Sequence, residues 1–144
     1  MSEAAVSQEP KTVELRLEAR PENLALTRLA LAGVAANAGA SREVVSDLKL
    51  AVTEACTNVI KHAYGEDGHG EIVVRYTVEP GVVSVEIEDT GPGFELGAAP
   101  SGSRNGDGNG MGLMIIRVLT DELSVSSEGA GTRLAFVKRF SPES

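Results

Sequence analysis

The chain has one cysteine, Cys56, among its 144 residues, so an internal disulfide is excluded and no cysteine cluster exists to hold zinc. Long apolar runs are missing as well. No stretch is long enough to span a bilayer as a helix, and the start carries no signal-peptide pattern. Basic residues are few beside acidic ones, 13 against 21, which leaves a net charge of −8. That balance argues against nucleic acid or an anionic membrane as the main partner, because neutralising phosphates requires clustered Lys and Arg; a basic or polar protein partner stays open. No composition break divides the chain, and its length suits one domain with one sizeable core. A soluble, cytoplasmic, single-domain protein is the expectation.

Residues 1–10 are small, polar and acidic, and are expected to form a mobile tail; the domain runs over 11–140, and 141–144 form a second short tail. From Thr12 to Glu18, Val13, Leu15 and Leu17 alternate with Glu14, Arg16 and Glu18, the pattern of a half-buried strand. Glu22 to Ala38 reads as a helix with two adjacent apolar lines, Leu26/Ala30/Val34 and Leu24/Leu31/Ala35, stopped at Gly39. This apolar face is wide enough to pack inward and against another subunit, although an ordinary buried helix explains it too. Ser41 can cap the next helix, on which Val45, Leu48, Val52, Ala55, Val59 and Ala63 form an apolar arc that also takes in Cys56 as a core residue. Asp47, Glu54, Asn58 and Lys61 fall opposite that arc, with His62 at its flank. Glu54 and Asn58 are stacked one turn apart. Such a face is ordinarily a solvated one; a carboxylate beside an amide oxygen is also what a phosphate site uses.

Glu71 to Glu79 alternate again, and Glu79-Pro80-Gly81-Val82 puts Pro and Gly at the centre of a type II turn leading to the run Val82 to Glu88. On that strand Val83, Val85, Ile87 and Asp89 share the buried face. A carboxylate there needs a partner, either within the protein or on a ligand, and an adenine amino group is one such donor. Gly91 and Gly93 remove side chains that would keep a flat base off the backbone. The same Asp-x-Gly-Pro-Gly stretch also reads as a plain strand-ending turn. Eight of the 16 glycines lie between Gly91 and Gly112, and residues of about 94–109 are expected to form a lid. Met111 to Thr120 returns to helical spacing, with Gly110 and Gly112 at a start whose backbone donors suit phosphate oxygens. Asp121 to Ser127 and Thr132 to Arg139 read as the last strands, with Thr132 on the inward face. Grouped helices and five strands indicate an α+β two-layer sandwich: a mixed, mostly antiparallel sheet with helices covering one face.

Glu54-xxx-Asn58-xxx-His62-Ala63-Tyr64, Asp89-x-Gly91-x-Gly93, Gly110-Met111-Gly112-Leu113 and Gly131-Thr132 together resemble, in order and spacing, the GHKL (Bergerat-type) ATPases with the histidine-kinase-like ATPase fold. Each motif alone is weak; four in order are specific. Within that superfamily the short chain resembles the bacterial anti-sigma-factor serine-protein kinases, from about Val13 to the end of the last strand. The resemblance implies ATP and Mg2+ as cofactors, Asn58 as the metal-ligating side chain and Glu54 as the base or orienter for an attacking serine hydroxyl. It further implies that Asp89 accepts from adenine, that Thr132 supports the base, and that Gly110, Met111, Gly112 and Leu113 form the phosphate-binding turn. His62 matches a family position with either a binding or a structural role. Family members can carry a basic residue just before the glycine pair, where Gly108 and Asn109 stand here; Arg104 lies farther upstream and can reach the γ-phosphate only if the lid closes. The implied partners are a STAS-type anti-anti-sigma substrate, a sigma factor and a second copy of the chain, with no direct nucleic-acid or membrane contact. The alternative is a non-catalytic, ATP-responsive partner-switching module; a histidine-kinase fragment fits less well, because neither His62 nor His69 sits on a separate dimerising hairpin.

Overall fold

Alternating residues build the sheet, and one face of every strand supplies the core. The computed structural model describes residues 10–64, 70–89, 107–126 and 131–143. Strands β1 (Lys11–Glu18), β2 (Glu71–Glu79), β3 (Val82–Asp89), β4 (Glu122–Ser126) and β5 (Arg133–Arg139) form one sheet in the order β1-β2-β3-β5-β4. The expected mixed sheet is, among the described residues, antiparallel at all four pairings. Helices α1 (Leu24–Asn37), α2 (Arg42–Tyr64) and α3 (Asp107–Leu119) complete the sandwich, with a 3-10 turn at Pro21–Asn23 leading into α1. None of the described helices is long and apolar enough to cross a membrane.

Ile72, Val74, Tyr76, Val83, Val85, Ile87, Leu134 and Phe136 from the sheet share a buried cluster with Leu31 and Ala35 of α1, Leu48, Val52 and Val59 of α2, and Ile116 of α3. All three helices therefore cover the same sheet face. The opposite face is charged: Arg75 of β2 donates to Glu14 on β1 and to Glu86 and Glu88 on β3, and Arg133 reaches the latter two from β5. Exposed ion pairs add little stability, but they keep that face wetted and the two faces distinct. In α1 only Thr27, Leu31 and Ala35 are buried, while Leu26 and Leu29 are 48% and 70% exposed. The Tyr76 hydroxyl donates to the Thr27 carbonyl at 2.7 Å and so fastens α1 to β2 inside the core.

The Ser41 hydroxyl accepts from Val44 N–H at 3.1 Å and opens α2, as its position suggests. At this end of the molecule two glycines make the corners. Gly39 after α1 has φ +88°, and Gly81 in the β2–β3 turn has φ +77°. Gly81 N–H donates to Ala38 O at 3.1 Å and Phe140 N–H to Gly81 O at 2.9 Å, while Glu143 N–H reaches Gly39 O at 2.7 Å. The end of the chain, expected as a tail from residue 141, is thus hydrogen-bonded across both corners. β3 and α2 start from this corner and run toward the opposite pole, where Asp89 and Tyr64 lie.

Replacing Gly81 with Ala would set a Cβ 2.8 Å from Phe140 O on a backbone with positive φ. We expect Gly81→Ala to cost about 1–3 kcal/mol of stability, read as a lower denaturant midpoint with an unchanged m-value.

Candidate nucleotide site

Asp89 ends β3 on the core side, 9% exposed, where alternation along Val83, Val85 and Ile87 predicts it. The β3–β5 ladder continues one step past its last regular pair. Asp89 N–H donates to Thr132 O at 3.2 Å, and Thr132 N–H donates to Asp89 Oδ2 at 2.6 Å. The strand-ending carboxylate is therefore aimed by the neighbouring strand, and a carboxylate with two oxygens keeps further acceptor capacity for a ligand donor. Thr132 is itself buried, and its backbone N–H meets the Asp89 carboxylate. Gly131 explains itself here: a Cβ at that residue would lie 3.3 Å from Asp89 Oδ1 and 3.6 Å from Oδ2. Its missing side chain leaves a cradle against the carboxylate edge.

The second half of the site rides on α2. Its apolar arc is buried as expected, with Leu48, Ala51, Val52, Ala55, Cys56, Val59 and Ala63 all in the core. Burial pushes the Cys56 thiol up to about 12, a hydrogen bond with Thr27 opposing the shift, so this cysteine is an inert core residue. Glu54 and Asn58 are half-buried, not a free solvated face, because α3 lies alongside them. Arg28 of α1 donates to Thr53 at 3.2 Å and holds the other flank of α2.

The contact between α2 and α3 corrects one expectation. The spacing predicts a helix from Met111, but α3 begins at Asp107, so Gly110 closes its first turn and Met111 and Gly112 follow it. Only first-turn amides lack acceptors within a helix, so Gly112 is not a bare donor at a helix start. Its value is clearance. A Cβ at Gly112 would sit 3.1 Å from Asn58 Nδ2 and 3.2 Å from Glu54 Oε1. Leu113 next to it packs against the core cluster.

Two groups are thus assembled from distant sequence: Asp89 with Gly131 and Thr132, and Glu54 with Asn58 and Gly112. His62 is half-buried near the end of α2, and the described contacts join it to neither group. Gly91, Gly93, Arg104 and the lid residues up to 106 lie outside the described residues. Both groups have a glycine where a side chain would fill the space beside the polar atoms, and these donor and acceptor types fit a nucleotide.

A sheet covered on one face by helices, with an acid at a strand end and a carboxylate–amide pair on the central helix, defines an ATP-binding domain of the GHKL class. In agreement, residues 17–138 match the family model described as the histidine kinase-like ATPase domain. Within that class the chain belongs to the RsbW serine-protein kinase family. It is 35% identical over 140 residues to serine-protein kinase RsbW of Bacillus subtilis, covering 91% of this chain and 87% of that protein. It is 37% identical over 125 residues to serine-protein kinase RsbW of Listeria monocytogenes, covering 78% of each. The fold is shared with the RsbU and RsbW domains of Rv1364c from Mycobacterium tuberculosis, at TM-score 0.66 and 21% identity, over 93% of this chain and 34% of that one. It is shared also with the histidine kinase domain of a blue-light activated histidine kinase from Erythrobacter litoralis, at TM-score 0.50 and 23% identity, over 81% of this chain and 61% of that one.

Gly112→Ala tests the clearance. The displaced Asn58 and Glu54 tips must give by a few tenths of an ångström. ATP binding measured by calorimetry is expected to weaken about tenfold, equivalent to about 1.4 kcal/mol, while the melting temperature moves by only a few degrees.

Proposed function

We propose that this protein is an ATP-dependent serine kinase and anti-sigma factor. It phosphorylates a serine of a STAS-type anti-anti-sigma partner and, when released from that partner, sequesters a sigma factor. The observation that carries this reading is the meeting of Glu54 and Asn58 with Gly112, a carboxylate and an amide side by side where α2 meets α3, which supports their reading as base and metal ligand. Family membership supports the acceptor and the partners.

When bound, Mg-ATP supplies the γ-phosphoryl group and the positive charge that offsets its oxygens. Asn58 would hold the metal through its amide oxygen, with nucleotide phosphates and water as the oxygen ligands that Mg2+ prefers. Glu54 orients the serine hydroxyl and takes its proton. Asp89, aimed by Thr132 N–H, accepts from the adenine amino group and so favours adenine over guanine. As the resemblance implies, Gly91 and Gly93 would let the base approach the backbone, Arg104 would be the basic residue for the γ-phosphate, and His62 keeps a family position whose role is either binding or structural. The phosphate added to the partner carries about −1.5 to −2 charges, which against a chain of net charge −8 weakens the complex and frees the kinase for the sigma factor. The protein acts in the cytoplasm as a homodimer, to which exposed Leu26 and Leu29 of α1 supply apolar surface.

Incubation with γ-labelled ATP, Mg2+ and purified anti-anti-sigma proteins tests the activity. Transfer to serine is expected. Full ATP binding without transfer to any of them would favour a non-catalytic module in which nucleotide sets only the lid conformation. Glu54→Gln is expected to lower the transfer rate by about 100-fold or more and to keep ATP affinity. Asp89→Asn, in contrast, is expected to weaken ATP binding at least tenfold, by about 1.4 kcal/mol or more. The reverse pattern would mean that the two roles are misassigned.

A further inference from the structure

The site draws on two layers of the sandwich. Glu54 and Asn58 belong to α2 and Asp89 to β3, so a ligand that spans them depends on how firmly the end of α2 is fixed to the sheet. Tyr64, the last residue of α2, supplies such a fixture. Its hydroxyl donates to the Glu71 carbonyl at 2.8 Å, and Glu71 is the first residue of β2. The next residue, Ile72, stands opposite Asp89 in the β2–β3 register. From the helix carrying Asn58 to the strand carrying Asp89, the path is one side-chain hydrogen bond and one ladder pairing.

The ring of Tyr64 is seated as closely as its hydroxyl. A Cβ on Gly70 would lie 2.3 Å from Cε1 and Cζ of Tyr64 and 2.6 Å from its oxygen. No side chain fits there. The Gly70 carbonyl also accepts from Ala19 N–H at 2.8 Å, just after β1, and Glu18 at the end of β1 is the register partner of Glu71. Tyr64 therefore grips the point where β1 ends and β2 begins, with glycine required at residue 70 to admit the ring.

The geometry points to Tyr64 as a positioning residue that sets the distance between the base end and the phosphate end of the nucleotide site, a role that rests on the nucleotide reading given above. It acts through α2 and the start of β2. Its effect falls on ligands that engage both ends. A ligand held only at Asp89 senses the sheet, whose β3–β5 closure through Thr132 does not involve α2.

Calorimetry with Tyr64→Phe tests this, using adenosine alone and ATP with Mg2+ as the two probes. The variant keeps the ring against Gly70 and loses only the hydroxyl. The expected result is a split: ATP affinity falls about tenfold, adenosine affinity stays within about twofold, and the melting temperature moves by a few degrees at most. Gly70→Ala, which evicts the ring from the other side, is expected to produce the same split with a larger ATP loss. Wild-type ATP affinity in both variants would overturn the role, and so would equal losses for adenosine and ATP, the mark of general loosening. A wild-type protein that binds neither probe would instead refute the nucleotide site itself, and the role of Tyr64 with it.

Discussion

A carboxylate at the buried end of a strand has to be held, and the bond from Thr132 N–H to Asp89 Oδ2 at 2.6 Å holds it. The rest of the site is arranged relative to that acid. Because the same two residues also exchange a backbone bond in the other direction, the carboxylate is fixed by the ladder that forms the sheet. A buried charge of this kind is tolerable only when its surroundings are ordered to receive it, and the antiparallel neighbour provides that order. Gly131 then keeps the approach to the carboxylate clear.

The helix opposite does two jobs with its two sides. Its apolar side, from Leu48 to Ala63, is core. Its polar side meets α3 through Gly112, where a side chain would crowd the Glu54 and Asn58 tips. Packing and chemistry are thus coupled along one 23-residue element. A substitution on its buried side displaces the polar pair even though it touches neither member, since close-packed interiors transmit such shifts.

Much of this is legible in the sequence. The two-residue period of Val83, Val85 and Ile87 placed Asp89 on the core face, and the helical period stacked Glu54 on Asn58; both are local rules that hold without knowing the fold. Family resemblance then put the pieces in one class. What escaped were contacts between segments far apart. Asp107-Gly108-Asn109-Gly110 has poor helix propensity, so a start at Met111 was the natural reading, yet α3 begins at Asp107. Nothing in the glycine count distinguishes a glycine needed for clearance, such as Gly112 or Gly131, from one needed for a turn. Parity puts Thr132 on the inward face and says nothing of which amide meets a carboxylate. The contact of Tyr64 with Gly70 depends on how the chain returns from α2 to β2, which periodicity does not encode.

The corner built from Gly39, Gly81 and the segment at Glu143 lies at the far end of α2 from Tyr64. Glu54 stands 12 residues, about 18 Å of helix, beyond Arg42 at the start of α2, so the segment at Glu143 is held roughly that far from the polar pair. A dye attached at Glu143 consequently sits at the pole opposite Asp89 and Tyr64 and reports on the molecule without crowding that end.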